Sequence, residues 1–332
     1  MSISAALPHT GTRLGLGGSI AISLAAAALA ALPGMGALGL GWLPLALVLG
    51  MLVGNLWPAL PLRGAAGIAV ARGRWMRWGI ALYGLHVGTD ALASIGWSGP
   101  LMALAIVAST LALAMFAGRR LGVERDLALL LGSGSAICGA AAIAATDSVL
   151  GAQARHISAA VAAIVVFGTL GMVVLPALHP LGWLSEAAFG LWIGLSVHEL
   201  GHVVGAAAAI GDAATATALV EKMLRVMLLA PAVLCVALFV GRHEGRAPRV
   251  PGFLWGFVAA IALNASGMLP PVVHQAGALA AQGLLAVGLA ALGAATRLSD
   301  IRAAGLRVWL LAALLWIHLL LASLLLILWL AH

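Results

Sequence analysis

The sequence predicts an all-α protein that crosses a membrane many times, and three observations lead there. Hydrophobic residues make up 63% of the 332 positions, charged residues only 8%, and the mean hydropathy is +1.13; soluble domains carry about 25% charged residues. Apolar stretches near the length a spanning helix needs, about 20 residues, fill the chain. Basic residues fall into the short linkers between those stretches instead of forming one patch. A soluble domain is excluded, because no polar sequence remains to cover a core. The net charge of +7 comes from arginine, Lys222 being the one lysine. In a soluble chain such basicity points to nucleic acid; here it reports membrane topology, and no nucleic-acid partner is expected.

Eleven apolar segments can be marked, at 14–33, 38–58, 76–95, 99–118, 127–149, 157–177, 183–207, 223–241, 252–269, 277–296 and 306–331. The first follows a single basic residue, Arg13. A cleaved signal peptide competes with a retained helix there, and retention is expected because no polar mature domain follows. The second ends at Pro58 and Pro61. Arg74-Trp75-Met76-Arg77 opens the third, and Pro100 starts the fourth. The fifth carries Gly132-Ser133-Gly134-Ser135-Ala136-Ile137-Cys138-Gly139, a poor helix-former. Pro180 separates the sixth from the seventh, which contains His198-Glu199-Leu200-Gly201-His202. Lys222-Met223-Leu224-Arg225 opens the eighth. Pro248 and Pro251 precede the ninth, and Pro270 and Pro271 follow it. The tenth holds Gly283, Gly288 and Gly293. Tryptophans 42, 57, 75, 78, 97, 183, 192 and 255 sit mostly near segment ends, as an interfacial aromatic belt requires. Cys138 and Cys235 both lie inside apolar stretches, so no stabilising disulfide is expected.

With the N-terminus cytoplasmic, eleven crossings put Arg13, Arg63, Arg72, Arg74, Arg77, Arg119, Arg120, Arg125, Arg242, Arg246, Arg249, Arg297, Arg302 and Arg307 inside. Those are 14 of the 17 basic residues, leaving Arg155, Lys222 and Arg225 on the other side. The positive-inside rule therefore predicts an outside C-terminus and marks those three as exceptions. Setting the first helix aside leaves two sets of five. Five is odd, so the second set must run opposite to the first. The third helix then corresponds to the eighth and the glycine-rich fifth to the tenth, with 38–177 and 183–331 as two halves of one membrane domain. Each basic pair, Arg74/Arg77 and Lys222/Arg225, is three apart at the start of its helix.

At these residues the chain resembles a known family. Ser135-Ala136-Ile137-Cys138-Gly139-Ala140-Ala141-Ala142-Ile143 is similar to the ICGASAI signature of the bacterial YeiH family, described as sulfate exporters. His198-Glu199 ahead of Val203-Val204 resembles a second signature, and Lys222-Met223-Leu224-Arg225 leading to Pro231 a third. Arg77-Trp78-Gly79-Ile80-Ala81-Leu82-Tyr83-Gly84-Leu85 is similar to a fourth; order and spacing agree over roughly 40–310. Ala141 stands where serine is usual and Gly205 where alanine is, so one possible hydroxyl ligand is lost. The resemblance implies a fold akin to sodium/proton antiporters and bile-acid symporters, with crossing interrupted helices and alternating access, in the bacterial inner membrane.

The candidate site begins at the fifth segment. A break at Ser133, Gly134, Ser135, Cys138 and Gly139 would expose N–H groups and hydroxyls to an anion; the plainer alternative is close packing of small residues. His198 and Glu199 are candidates for proton coupling, since ionisable groups at membrane depth are costly and usually functional. Asp147 is a second coupling carboxylate or an interfacial residue. Lys222 and Arg225 attract the substrate anion or pair with Glu221 and Glu199, or else are solvated helix ends or lipid-headgroup anchors; neutralising both is expected to weaken anion binding and, at a helix end, to have little effect on the fold. Arg74 and Arg77 anchor the surface, and Asn264 and Thr296 add polar lining. His198 to His202 also spells HExxH, the zinc-protease motif, with His198 and His202 four apart as metal ligands and Asp147, Asp212 or Asp300 as third. The sequence holds no Walker GxxxxGK[ST].

Together these features lead to an expectation of a secondary transporter, not an enzyme and without a cofactor. It would export sulfate or a related sulfur oxyanion, with H+ or Na+ as coupling ion and the lipid bilayer and a second copy as partners. A proton- or sodium-coupled organic-anion carrier is the alternative, and an intramembrane zinc protease the third reading.

Overall fold

The computed structural model describes residues 9–32, 41–86, 96–240, 252–299 and 304–330. Among them the chain is all-helical, without strand. Among the described residues six helices are long and apolar enough to cross a membrane: Gly11–Ala30, Ser98–Leu121, Arg155–Leu181, Asp212–Phe239, Pro271–Ala295 and Leu306–Trp329. Arg242, Arg246, Arg249, Asp300 and Arg302 lie outside the described residues. The chain divides into two compact units, 1–86 with 255–298, and 87–254 with 299–332.

The first unit contains α1 (His9–Ala30), α2 (Trp42–Leu56), and a third segment divided into α3 (Ala59–Arg63), α4 (Ala65–Val70), a π-turn at Ala71–Trp75 and α5 (Met76–Tyr83). Most of α14 (Gly252–Ala265) and all of α15 (Pro271–Ala295) complete it. Contrary to the expectation of a second interrupted helix, α15 is one unbroken helix of 25 residues. Gly288 and Gly293 give close approach, not a break. A Cβ on Gly293 would meet the backbone of Leu47 and Met51 in α2, and one on Gly288 would lie 2.7 Å from the Met76 Cβ. Gly50 and Gly54 do the same from the α2 side, against Ala290 and Ala294. Asn55 ties the two ends together, donating to the Thr296 carbonyl at 2.8 Å and accepting from the Leu298 N–H at 3.0 Å. Asn264 is bonded to His274. Asn264 and Thr296 thus make contacts within this unit.

The second unit holds α6 (Ser98–Leu121), α7 (Arg125–Ala136), α8 (Ala140–Leu150), α9 (Ala154–Leu178), α10 (Glu186–Ser196), α11 (Leu200–Ala208), α12 (Asp212–Met227), α13 (Leu229–Val240) and α16 (Leu306–Leu330). Here the fifth and seventh segments, each expected to cross once and the fifth with a break, double back instead. A straight helix from 124 to 150 would be about 39 Å long. Yet Glu124, ahead of α7, accepts a hydrogen bond from Arg155 at 3.1 Å, just beyond the end of α8. The five-residue step from 150 to 155 and two side chains cannot close that gap. Leu127, Leu130 and Leu131 of α7 instead share one core cluster with Ile143 and Leu150 of α8. The pair is a helical hairpin with both ends on one side.

The seventh segment repeats the arrangement. Glu186, at the start of α10, accepts from the N–H groups of Ala213 and Ala214 at 3.0 and 3.2 Å, beyond the end of α11. A straight path from 186 to 208 would measure about 33 Å. The 25-residue α9 joins the end of the first hairpin to the start of the second. The two hairpins therefore enter the unit from opposite ends. The chain then returns through α12 and α13, where Arg125 donates to the Phe239 carbonyl at 2.9 Å, back at the first end. The two segments that break and double back are thus the fifth and the seventh, while the tenth, expected to be broken, is continuous.

Candidate functional site

The tips of the two hairpins meet, and two short breaks make them. In the first, Ile137 has φ −114° and ψ −84°, ending α7, and Gly139 has φ +74°, which sets the start of α8. That left-handed value favours glycine. A Cβ there would also lie 2.8 Å from the Glu199 carboxyl carbon. In the second, Val197 and Glu199 are extended, ending α10 and opening α11.

Each break leaves a helix C-terminus with unpaired carbonyls beside a helix N-terminus with unpaired N–H groups. Opposite charges meet the two kinds of end. Arg225 is fully buried and reaches from α12 to the C-terminal ends of both first halves. Its Nε donates to the Ala136 carbonyl at 2.7 Å and its Nη2 to Ser135 at 2.7 Å. Its Nη1 donates to Gly194 at 2.9 Å, Leu195 at 2.6 Å and Val197 at 3.3 Å. Lys222, also fully buried, donates to the Val197 carbonyl at 2.7 Å. The carboxylate of Glu199 accepts from the Ala140 N–H at 3.0 Å, the first residue of α8. Cations on helix C-termini and an anion on an N-terminus follow the helix dipole.

Lys222 and Arg225 are therefore not solvated helix ends. Both lie buried in the middle of the α12–α13 run, which removes the ground for expecting their neutralisation to spare the fold. The fixed planar donor set of Arg225 holds the two hairpin tips at one point. The anion place at the α8 N-terminus, anticipated for a substrate, is held by the protein's own Glu199.

Other predicted residues divide into three groups. Ser135, Cys138 and Gly139 are at the first tip with Ser133 and Gly134 one turn earlier, and all five are buried. Ser133 hydrogen-bonds its own helix at Leu130, and Gly134 packs on Ile143 and Ile164. Ser135 leaves its hydroxyl without a partner among the described residues. His198 is in the second break, 1% exposed, with Nδ1 unpaired among the described residues. Asp147 is not at the tips; it closes the turn after α8 by accepting from the Ala152 N–H at 2.8 Å.

His198 lies in the break before α11 while His202 is inside the helix, so the two do not share a helical face as the HExxH spacing had suggested. His202 lies 3.3 Å from the Thr169 hydroxyl and 3.8 Å from the second Glu199 oxygen. Among the described residues no three His, Cys, Asp or Glu side chains are grouped to hold a metal ion. Glu221, a pairing partner expected for Lys222 and Arg225, is fully buried on α12, with both oxygens unpaired among the described residues. Its place one turn before Arg225 was legible; its burial was not.

The family model described as conserved hypothetical protein 698 matches residues 14–312. A UPF0324 membrane protein of Pseudomonas aeruginosa is 40% identical over 301 residues, covering 86% of this chain and 85% of its own. A UPF0324 membrane protein of Pseudomonas putida is 38% identical, covering 90% and 89%. The UPF0324 inner membrane protein YeiH of Escherichia coli K12 is 35% identical over 295 residues, covering 86% and 84%. No solved structure matches the chain.

Proposed function

The chain belongs to the conserved hypothetical protein 698 family of membrane proteins, and from that premise we propose that it is a secondary transporter of a small oxyanion in the inner membrane. The observation that carries this reading is the buried meeting of two helical hairpins, with Glu199 on the N-terminus of α8. Irregular backbone at membrane depth is stable only inside protein or at a cavity, and transporters use such half-helix ends as binding sites. In this reading the hairpins dip into the bilayer from opposite faces.

The substrate competes with Glu199. Proton uptake on that carboxylate removes its charge and frees the α8 N-terminus, with its Ala140 N–H, for an oxyanion. Lys222 supplies a positive charge nearby, and the Ser135 hydroxyl and His198 Nδ1 offer further hydrogen bonds. Release of the proton returns Glu199 to its place and expels the anion, which couples the two. Sulfate and related sulfur oxyanions are the substrate class, and export is the direction. The end bearing Arg119, Arg120, Arg125, Arg155 and Arg307 faces the cytoplasm, with the N-terminus inside and the C-terminus outside.

The test is flux in proteoliposomes of sulfate, sulfite, thiosulfate and organic sulfonates, with and without a pH gradient. The expected result is gradient-driven flux of at least one oxyanion. Glu199→Gln should abolish the pH dependence, while His202→Ala retains it. Absence of flux for every anion, or stoichiometric zinc with peptide cleavage lost on His202→Ala, would overturn the assignment.

A further inference from the structure

A second polar site lies at the base of the first hairpin, about 18 Å from its tip by the 12-residue length of α7. A cavity of about 510 Å³ opens there, and its polar walls are Glu124, Arg155, His156 and Arg307. Three helices begin at this cavity: α7 after Glu124, α9 at Ala154 and α16 at Leu306. Neither Glu124 nor Gln153 caps its helix through the side chain, so the first N–H groups of α7 and α9 lack that partner. Three positive helix ends and two guanidinium groups thus surround one carboxylate. Glu124 accepts from Arg155 at 3.1 Å and lies 3.4 Å from His156 Nε2. His156 is 5% exposed, and its Nδ1 has no hydrogen-bond partner among the described residues.

We propose that this cavity binds a phosphate-class oxyanion, free or as a lipid headgroup, through Arg155, Arg307 and His156 over the starts of α7, α9 and α16. Guanidinium groups and helix N-termini together are the usual holders of such an anion. The bound group bridges the two sides of the hairpin base and clamps it to α16. Glu124 is a competitor, since its carboxylate occupies the same positive field. The site stands independently of the transport reading.

Thermal unfolding of the purified full-length protein, titrated with inorganic phosphate against chloride at constant ionic strength, tests this. Phosphate should raise the unfolding temperature saturably. In the double variant Arg155→Gln/Arg307→Gln half-saturation should rise at least about tenfold. Both arginines are exposed, so the variant keeps its core. Glu124→Gln should move the other way, tightening binding about three- to tenfold, because a like charge within a few ångströms is gone. A parallel arm compares nanodiscs of phosphatidylglycerol and phosphatidylcholine. Arginine-dependent stabilisation by phosphatidylglycerol without a phosphate response assigns the site to a headgroup, and the reverse assigns it to the free ion. No stabilisation by either ligand, identical responses in wild type and the double variant, or weaker binding in Glu124→Gln would each overturn the proposal.

Discussion

Replacing Arg225 by glutamine tests the central claim about how the two hairpins are joined. The wild-type guanidinium is fully buried and donates to five backbone carbonyls at 2.6–3.3 Å, two from α7 and three from the end of α10 and its break. Glutamine is shorter, brings two donors and carries no charge. At least three of the five carbonyls then lack this donor, and Val197 alone retains another, from Lys222. Hydrogen bonds from a charged donor contribute about 1.5–3 kcal/mol each, but they are not additive. Loss of one partner of a buried ionic arrangement costs about 3–5 kcal/mol, and that is the expected destabilisation. At about 2–4 °C per kcal/mol for a domain of this order, the unfolding temperature in detergent should fall by roughly 6–20 °C. Arg225→Lys should not rescue it, since an ammonium cannot reach two helix ends with a planar fork. Lys222→Met, which removes the single hydrogen bond from Lys222 to Val197, should cost clearly less. An Arg225→Gln protein as stable as wild type, or less destabilised than Lys222→Met, would refute the role of Arg225 as the joint between the tips.

Three further outcomes follow from named contacts. Gly139→Ala forces a side chain into φ +74° and against the Glu199 carboxyl; it should cost about 1–3 kcal/mol in unfolding free energy and abolish any flux, whereas unchanged flux would remove Glu199 from the tip. Arg155→Cys in a Cys235→Ala background should react with a membrane-impermeant thiol reagent from the same face as Arg120→Cys, and labelling from opposite faces would restore a straight fifth segment. Gly293→Val places a branched side chain on the α2 backbone at Leu47 and Met51; a loss of about 2–4 kcal/mol is expected by overpacking, and a wild-type melting curve would contradict the close α2–α15 contact.

The sequence reading located the break residues and misjudged what the breaks do. Ser135–Gly139 and His198–Glu199 were both legible, because glycine and ionisable side chains are conspicuous in apolar segments. The return of each segment to its own side was not, since a 25-residue apolar hairpin and a 25-residue crossing have the same hydropathy. The tenth segment was illegible for a related reason: glycine that loosens a helix and glycine that lets two helices touch, as Gly288 and Gly293 do, look alike until the neighbour is known. The three topology exceptions carried the missing signal. Two hairpins that do not cross leave every other linker on its former side and move only those at 151–153 and 179–185. Arg155 then joins Arg119, Arg120 and Arg125, and Lys222 and Arg225 belong to no linker at all. As a constraint, those three residues distinguish hairpins from crossings in the sequence itself. Nothing in the pattern of the chain announced that Arg225 bonds to Ser135 and Ala136, because that contact depends on a separation of about ninety residues.

That separation bears on how the protein is made. Arg225 follows Ala136 by 89 residues, and chains are synthesised at about 5–20 residues per second. The first hairpin, complete at Leu150, is finished roughly 4–15 s before its central cation is synthesised. Until then the carbonyls of Ser135 and Ala136 have no guanidinium to meet. The α7–α8 pair is thus a provisional insertion during translation, and α12 is the element whose arrival fixes it. A ribosome halted between Leu150 and Arg225 should hold a first hairpin more open to protease and labelling reagents than one halted after Val240.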